Sequence, residues 1–254
     1  MHELFTGTMV FTRCSALLLS FPIFSSPQFP IRLRIALALL VAVIITPGLA
    51  SAANLGGGFW DLVMDLMREA TVGLLLGFVG RLTFNALEFF AGVTGMEVGI
   101  NMAFLFNPLS ESRTEVFGTL AYLLGAMLLF TLDLHHWMLG AFQRSYALVP
   151  IHAAGLSMPL YHGVVARVSQ VFQAGFIMAA PVVAISFLIS VTFAMLSRAV
   201  PSMNVFAESF GFRILAGLMV TGFTLNLTAQ YAANYLRRLP DDLLRVAKMM
   251  SLAT

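Results

Sequence analysis

Long runs without a single charged residue constrain this sequence more than any other feature. They cover residues 35–60, 168–197 and 214–236. Each run exceeds the roughly 18–20 residues that an apolar helix needs to cross a bilayer. The composition agrees, because only 10% of the 254 residues are charged and the mean hydropathy is +0.89, whereas soluble domains carry about a quarter charged residues. The sequence therefore predicts an integral membrane protein.

Prolines and glycines divide the chain into about six apolar segments with breaks and hairpins between them. We expect an all-α, multi-helix fold in which residues 1–254 form a single subunit. The third segment is predicted to begin near Phe59, and the fourth to run from Val116 to about Phe142. The fifth, residues 168–198, would span about 45 Å as one helix. Because a bilayer core is only about 30 Å thick, we expect a bend or break near Pro181.

The distribution of basic residues conflicts with six simple spans. The tail, residues 237–254, is basic and amphipathic, which predicts a cytoplasmic C-terminus. Arg32 and Arg34 predict that the loop between the first two segments is cytoplasmic as well, and six spans place these two points on opposite sides. Either one segment is therefore a hairpin or half-span, or some helices do not span the membrane in the usual sense. Residues 32–52 resemble a signal peptide but begin too late for one, so we expect insertion without cleavage.

Small and polar residues recur every three or four positions along the third segment. Such steps keep residues on one side of a helix, and a small-residue seam lets helices pack closely where water is absent. The seam comprises Gly73, Gly77, Arg81, Asn85, Glu88, Gly92, Gly95 and Gly99. Ionisable residues at a membrane helix centre cost on the order of 3 kcal/mol, so they need partners or a wet cavity. Two alternatives stay open: an interface or lumen, or an intrahelical arrangement bridged through Asn85.

An apolar tip follows this segment, just before a polar turn. It consists of Phe104, Leu105, Phe106, Asn107 and Pro108. Taken alone, these residues favour the ordinary end of a helix that packs its aromatic side chains on a neighbour. A loop that lines a cavity is the other interpretation, because irregular backbone is tolerated at membrane depth only in protein or over water.

The best candidates for chemistry are Asp133, His135 and His136. Adjacent histidines on a helix point about 100° apart, so we expect them not to share one metal ion. Trp137 beside them is typical of the residues at a membrane interface. The single Cys14 excludes a disulfide framework and a cysteine-based metal site, and no phosphate-binding glycine loop or hydrolase motif is present. The sequence predicts no enzyme activity, no metal and no cofactor, and it shows no nucleic-acid-binding pattern.

Three stretches together resemble the FliR family of flagellar biosynthesis proteins, which includes the matching subunit of type III secretion injectisomes. They are GMEVGINMAFLFNPLSESR, LLFTLDLHHWMLGAFQRSYALVP and LSRAVPSMNVFAESFGFRILAGL. The early arrangement of Arg13, Pro22, Pro30 and Arg32 is also similar to the start of that family. The resemblance covers nearly the whole chain in order, and it is closer to the flagellar branch. In the third stretch it marks four residues as structural: Arg198, Pro201, Asn204 and Phe206.

The resemblance implies a role in protein export. Family members assemble with several copies of FliP and FliQ into a helical, pore-forming gate for unfolded flagellar substrates, in the bacterial inner membrane within the flagellar basal body. It implies a FliP-like half, residues 1–165, and a FliQ-like half, residues 166–254, with FlhB as the next component. By position, residues 104–108 resemble the plug of the closed gate. Asn107 stands where relatives often carry Asp, which puts a carboxylate role there in doubt.

Other function classes compete with this one. A stand-alone small-molecule transporter would suit helices broken at Pro47 and Pro181 and charges within the membrane, although no internal repeat is evident. An injectisome homologue, or a membrane-embedded assembly factor without contact to a pore, would share the composition. A transporter works as a lone chain or a homo-oligomer, whereas a gate subunit is inert without its partners.

Overall fold

The computed structural model describes residues 2–49, 58–100, 116–151, 153, 155, 157–200, 202 and 204–251. Within these ranges the regular structure is helical and no strand occurs, which confirms the predicted all-α class. The helices are α1 (His2–Ser20), α2 (Pro22–Ser25), α3 (Ile31–Ile45), a 3-10 helix (Thr46–Leu49), α4 (Phe59–Val98), α5 (Val116–Thr131), α6 (Leu134–Leu148), α7 (Met158–Ala199), α8 (Val205–Leu236) and α9 (Leu239–Ser251).

Local chemistry sets both ends of the 40-residue helix α4. It begins at Phe59, as predicted, and the Asp61 carboxylate in its first turn accepts a hydrogen bond from the Gly58 amide at 2.8 Å. An acid at this position also offsets the positive end of the helix dipole. The helix ends before Gly99, whose φ of +84° is a left-handed conformation that favours glycine.

Contacts between residues divide the chain into two compact units. The first comprises residues 1–84, 129–169 and 237–254. In its interior α1 packs on α3, and α9 packs on α6. The Phe21 ring, fully buried after the end of α1, meets Phe84 edge to face with ring centroids 5.6 Å apart. This unit thus has an apolar core of its own.

The second unit comprises residues 85–128 and 170–236. The Phe89 ring lies edge to face with Phe172 and with Phe176, each at a centroid distance of 5.0 Å. A Cβ added to Gly175 would lie 3.0 Å from the Ala86 carbonyl oxygen, so only glycine permits this approach of α7 to α4. Aromatic packing over a small residue therefore joins these two helices.

Helices long and apolar enough to cross a bilayer occur in both units. They lie at residues 31–49, 158–199 and 207–251, and the bent pair α5–α6 would add a fourth if it counts as one span. Only 6% of the most apolar stretch in residues 207–251 is buried within the chain, and Phe223 in α8 is 81% exposed. Because water does not favour such surfaces, they require lipid or partner subunits.

The fourth predicted segment is not one helix. The chain breaks between Thr131 and Leu134, and the axes of α5 and α6 differ by 73°. Asp133 in the break has a φ of +52°, a left-handed conformation that Asp tolerates better than most residues. The prediction of a continuous segment was wrong because no glycine or proline marks this turn.

Of the bend or break expected near Pro181, the structure shows no break. Helix α7 runs without interruption from Met158 to Ala199, with Pro181 inside it. Proline removes a single backbone donor, so one carbonyl four residues earlier loses its helical partner while the bonds on either side persist. In apolar surroundings those remaining bonds hold the helix together, because there is no water to replace them.

Candidate functional site

A fully buried ion pair lies at the centre of the first unit. Arg13 of α1 and Glu69 of α4 are both 0% exposed. Arg13 Nε donates to Glu69 Oε2 at 2.6 Å, and Nη2 donates to Oε1 at 2.9 Å. This bidentate geometry is the strongest form of carboxylate recognition by arginine. The two charges thus compensate one another in a region without water.

The remaining guanidinium donors hold the end of α6. Nη1 donates to Ser145 Oγ at 3.2 Å, and Nη2 donates to the Val149 carbonyl oxygen at 3.0 Å. The Tyr146 ring lies under the guanidinium, 3.8 Å from its carbon to the ring centroid. A cation over an aromatic ring gains further electrostatic stabilisation where solvent is excluded. Arg13 therefore connects α1 with α4 and with the C-terminal end of α6.

Two seam glycines bring α1 close enough for this network. A Cβ added to Gly77 would lie 2.5 Å from the Leu17 carbonyl oxygen, and one added to Gly73 would lie 2.8 Å from the Ala16 Cβ and overlap the Arg13 carbonyl. Real side-chain carbons do not approach so closely. Gly73 and Gly77 thus permit backbone contact between α4 and α1.

The other seam residues do not share that surface. Arg81 and Glu88 are exposed, and Asn85 is half-buried. A Cβ at Gly92 would meet nothing within 4 Å. This stretch of α4 is therefore available to another molecule, and the role predicted for the whole seam in packing between subunits stays a prediction.

The last seam glycines lie in the second unit. Gly95 and Gly99 are buried. A Cβ at Gly99 would lie 3.1 Å from the Phe210 ring of α8, and the positive φ at Gly99 disfavours any other residue. Gly99 thus ends α4 and contacts α8 within its own unit.

The predicted plug, residues 104–108, lies outside the described residues. So do Pro201 and the side chain of Phe206. Of the other family-motif residues, Arg198 is exposed in the last turn of α7. The Asn204 side-chain oxygen accepts a hydrogen bond from the Ala207 amide at 3.3 Å, which caps the start of α8.

The description "Bacterial export proteins, family 1" belongs to a family model that matches residues 4–239. The chain belongs to this family. It is similar to the flagellar biosynthetic protein FliR of Caulobacter vibrioides, with 26% identity over 94% of this chain and 96% of the relative. The FliR of Pectobacterium carotovorum is 24% identical over 95% of this chain and 92% of its own length. The resemblance drawn from the three sequence stretches is thereby confirmed.

A secretion protein outside the flagellum is similar as well. The Yop proteins translocation protein T of Yersinia pestis is 27% identical over 81% of this chain and 80% of its own length. The family therefore joins flagellar biosynthesis with type III secretion, and the chain has a role in an export apparatus of this kind.

The side chains of His135 and His136 lie closer together than expected for adjacent residues on a helix. Nitrogen and carboxylate atoms of Asp133, His135 and His136 all lie within 4.8 Å of one another. The two imidazole rings are tilted by 38°, with centroids 4.1 Å apart. Asp133 lies in the break before α6, and the two histidines lie in the first turn of that helix. Their ring nitrogens are therefore closer than a separation of about 100° suggests, and the expectation that they do not share one ion stays a prediction. Asp133 and His136 are each 70% exposed, so the cluster faces solvent or a partner.

Sequence reasoning missed Glu69 and did not pair Arg13. A usable signal existed, because an arginine and a glutamate within apolar segments each require a partner. Arg167 and Asp242 form a second ion pair in the same unit, with side chains only 12% and 6% exposed. Both pairs join residues far apart in the sequence, where periodicity gives no information.

Proposed function

We propose that this chain is a core subunit of the flagellar type III protein export gate. In this proposal it assembles with FliP and FliQ in the bacterial inner membrane to form the channel for unfolded flagellar proteins, with FlhB as the next component. The observation that carries the proposal is the family match over residues 4–239, together with flagellar relatives that align over more than nine-tenths of their length. The division into a FliP-like half, residues 1–165, and a FliQ-like half, residues 166–254, is part of the proposal.

The surface of the chain supports an assembled state. Apolar side chains are exposed on α8 and also on α7, where Phe187 and Leu188 are 64% and 57% exposed. Lipid tails could cover such a surface, but hydrocarbon could not pair with Arg81 and Glu88, which are exposed on α4. Charges that would otherwise face hydrocarbon favour a partner subunit or a water-filled lumen.

We assign the closed-state seal to residues 104–108. A pore that passes unfolded chains needs an apolar constriction that excludes water and yields when a chain pushes through. Phe104, Leu105 and Phe106 supply that bulk, and a hydrophobic constriction closes by dewetting. The chain contains no nucleotide-binding motif, so in this proposal the energy for export comes from another component.

Native mass spectrometry of the tagged chain, purified from its own cells in mild detergent, tests the assembly. The expected result is a discrete complex with one copy of this chain and several copies of two other small hydrophobic proteins. A lone chain or a homo-oligomer would refute the gate and favour a stand-alone transporter.

Deletion of residues 104–110 tests the plug. Because the seal is removed while the packed helices remain, we expect the complex to assemble and the membrane to leak small ions. The matched control is Phe104→Leu with Phe106→Leu, which keeps apolar bulk and should stay tight. A tight deletion strain, or a gate that fails to assemble, would contradict the assignment.

The injectisome branch is the second candidate, because the Yersinia translocation protein aligns over 80% of its length. Genetic complementation distinguishes the two. A flagellar subunit restores motility to a strain that lacks its own FliR, whereas an injectisome subunit restores only effector secretion.

A further inference from the structure

The C-terminal helix α9 has two unlike faces. Five of its apolar residues are buried, and the helix packs on α6. Those residues are Leu239, Leu243, Val246, Ala247 and Met250. An amphipathic helix that lies on a membrane inserts such a face between the lipids. Here the face is already occupied within the chain, so α9 cannot bind a membrane by insertion.

Polar contacts hold α9 in this orientation. Asp242 pairs with Arg167 of α7 on the covered side. Near the other end of α9, Ser157 Oγ donates to the Met249 carbonyl oxygen at 2.7 Å. The negative charge of Asp242 is therefore compensated inside the unit and does not reduce the charge of the outer face.

The outer face of α9 is basic. Arg237 and Arg238 are exposed in the turn before the helix, and Arg245 and Lys248 are exposed along it. In the part of the chain that the structure describes, no ion pair joins these four side chains to an acid. Asp241 is the exposed acid among them, so four cations and one anion give this face a net charge of about +3.

The basic residues follow directly after an apolar helix. Helix α8 ends at Leu236, and the first exposed arginine is the next residue. The stretch 207–251, which includes α8, is long and apolar enough to cross a bilayer. A cationic cluster at the end of a helix that crosses would reach the headgroups, where the phosphates of an anionic leaflet attract it. We propose that the exposed basic face of α9, formed by Arg237, Arg238, Arg245 and Lys248, binds the headgroups of anionic phospholipids.

Binding of lipid by this face should depend on charge and not on insertion of apolar side chains. Since the apolar face is buried, attraction to phosphate supplies the affinity, and each basic side chain contributes about fivefold. Salt should weaken it strongly, because exposed charges are screened beyond about 10 Å at 0.1 M ionic strength. Phosphatidylcholine, which has no net charge, should bind far less well than phosphatidylglycerol.

Lipid titration of the full-length chain in mild detergent, followed by native mass spectrometry, tests the proposal. Arg245→Gln with Lys248→Gln should weaken phosphatidylglycerol binding by about 25-fold, and Asp241→Asn should strengthen it about fivefold. The charge control is Arg68→Gln, an exposed arginine of α4 paired with Asp65, which should leave binding unchanged.

The following outcomes would overturn the proposal. Equal binding of phosphatidylcholine, or no effect of the double variant, would show that α9 does not select anionic headgroups. If millimolar inorganic phosphate displaces phosphatidylglycerol as effectively as added lipid does, the face is a site for free anions. Loss of a co-purified protein, with lipid binding unchanged, would assign the face to a protein partner.

Discussion

Removal of one partner of the Arg13–Glu69 pair should destabilise the protein severely. Glu69→Gln keeps the size of the side chain and one acceptor, which still serves Nη2 at 2.9 Å. It also places the amide nitrogen, which is a donor, opposite the Arg13 Nε donor. In the native structure a carboxylate oxygen accepts a hydrogen bond from Nε there at 2.6 Å. The substitution leaves a guanidinium charge buried without its counter-ion. Breaking a buried pair in this way costs about 3–5 kcal/mol.

Thermal unfolding of the purified chain in detergent measures this cost. For a chain of this size about 1 kcal/mol corresponds to roughly 2–4 °C, so the midpoint should fall by about 6–20 °C. The double variant Arg13→Met with Glu69→Leu removes both charges and fills similar volume. It should recover most of the loss, because replacing a buried pair with apolar residues is often neutral or stabilising.

The neighbouring residue provides the control. Arg68 is 49% exposed and lies 3.4 Å from Asp65. An exposed pair contributes only about 0–1 kcal/mol, so Arg68→Gln should shift the midpoint by a few degrees at most. If Glu69→Gln unfolds at the wild-type temperature, or the double variant is less stable than both single variants, the network does not stabilise the unit as reasoned.

Two further predictions concern packing and reactivity. Gly77→Leu should prevent folding, because a Cβ there would lie 2.5 Å from a carbonyl of α1. A Cβ at Gly92 would meet nothing within 4 Å, so Gly92→Leu should leave the chain folded and block assembly alone. Size-exclusion profiles of the chain and of the complex separate these results, and normal complex yield for Gly92→Leu would contradict the prediction for that position. Cys14 is 4% exposed and burial raises the pKa of its thiol to about 12, so it should resist maleimide at pH 8 while an exposed Thr8→Cys control reacts. Fast labelling of the native chain would contradict the buried position.

Features governed by local sequence were predictable. The all-α class follows from hydropathy, and the start of α4 at Phe59 follows from hydropathy together with an acid in the first turn. These signals lie within a few residues of the feature they determine. Membership of the export family was likewise recognisable, because three stretches occur in the right order.

Features that depend on distant residues were not predictable. Arg13 meets Glu69 across 56 positions and Val149 across 136, and no periodicity connects them. The bend at Asp133 depends on a left-handed backbone at a residue other than glycine, which composition does not reveal. Continuity through Pro181 reflects surroundings that supply no water, a condition set by the whole fold.

The network at Arg13 also orders events during biosynthesis. At about 5–20 residues per second, Arg13 leaves the ribosome roughly 3–11 s before Glu69, which follows 56 positions later. The Val149 carbonyl follows 136 positions after Arg13, and therefore about 7–27 s later. During the first interval the Arg13 guanidinium lacks its carboxylate partner, and an unpaired charge is costly in apolar surroundings. The network that holds the N-terminal helix can therefore be complete only after the first 149 residues have been made, although Arg13 is among the earliest residues of the chain.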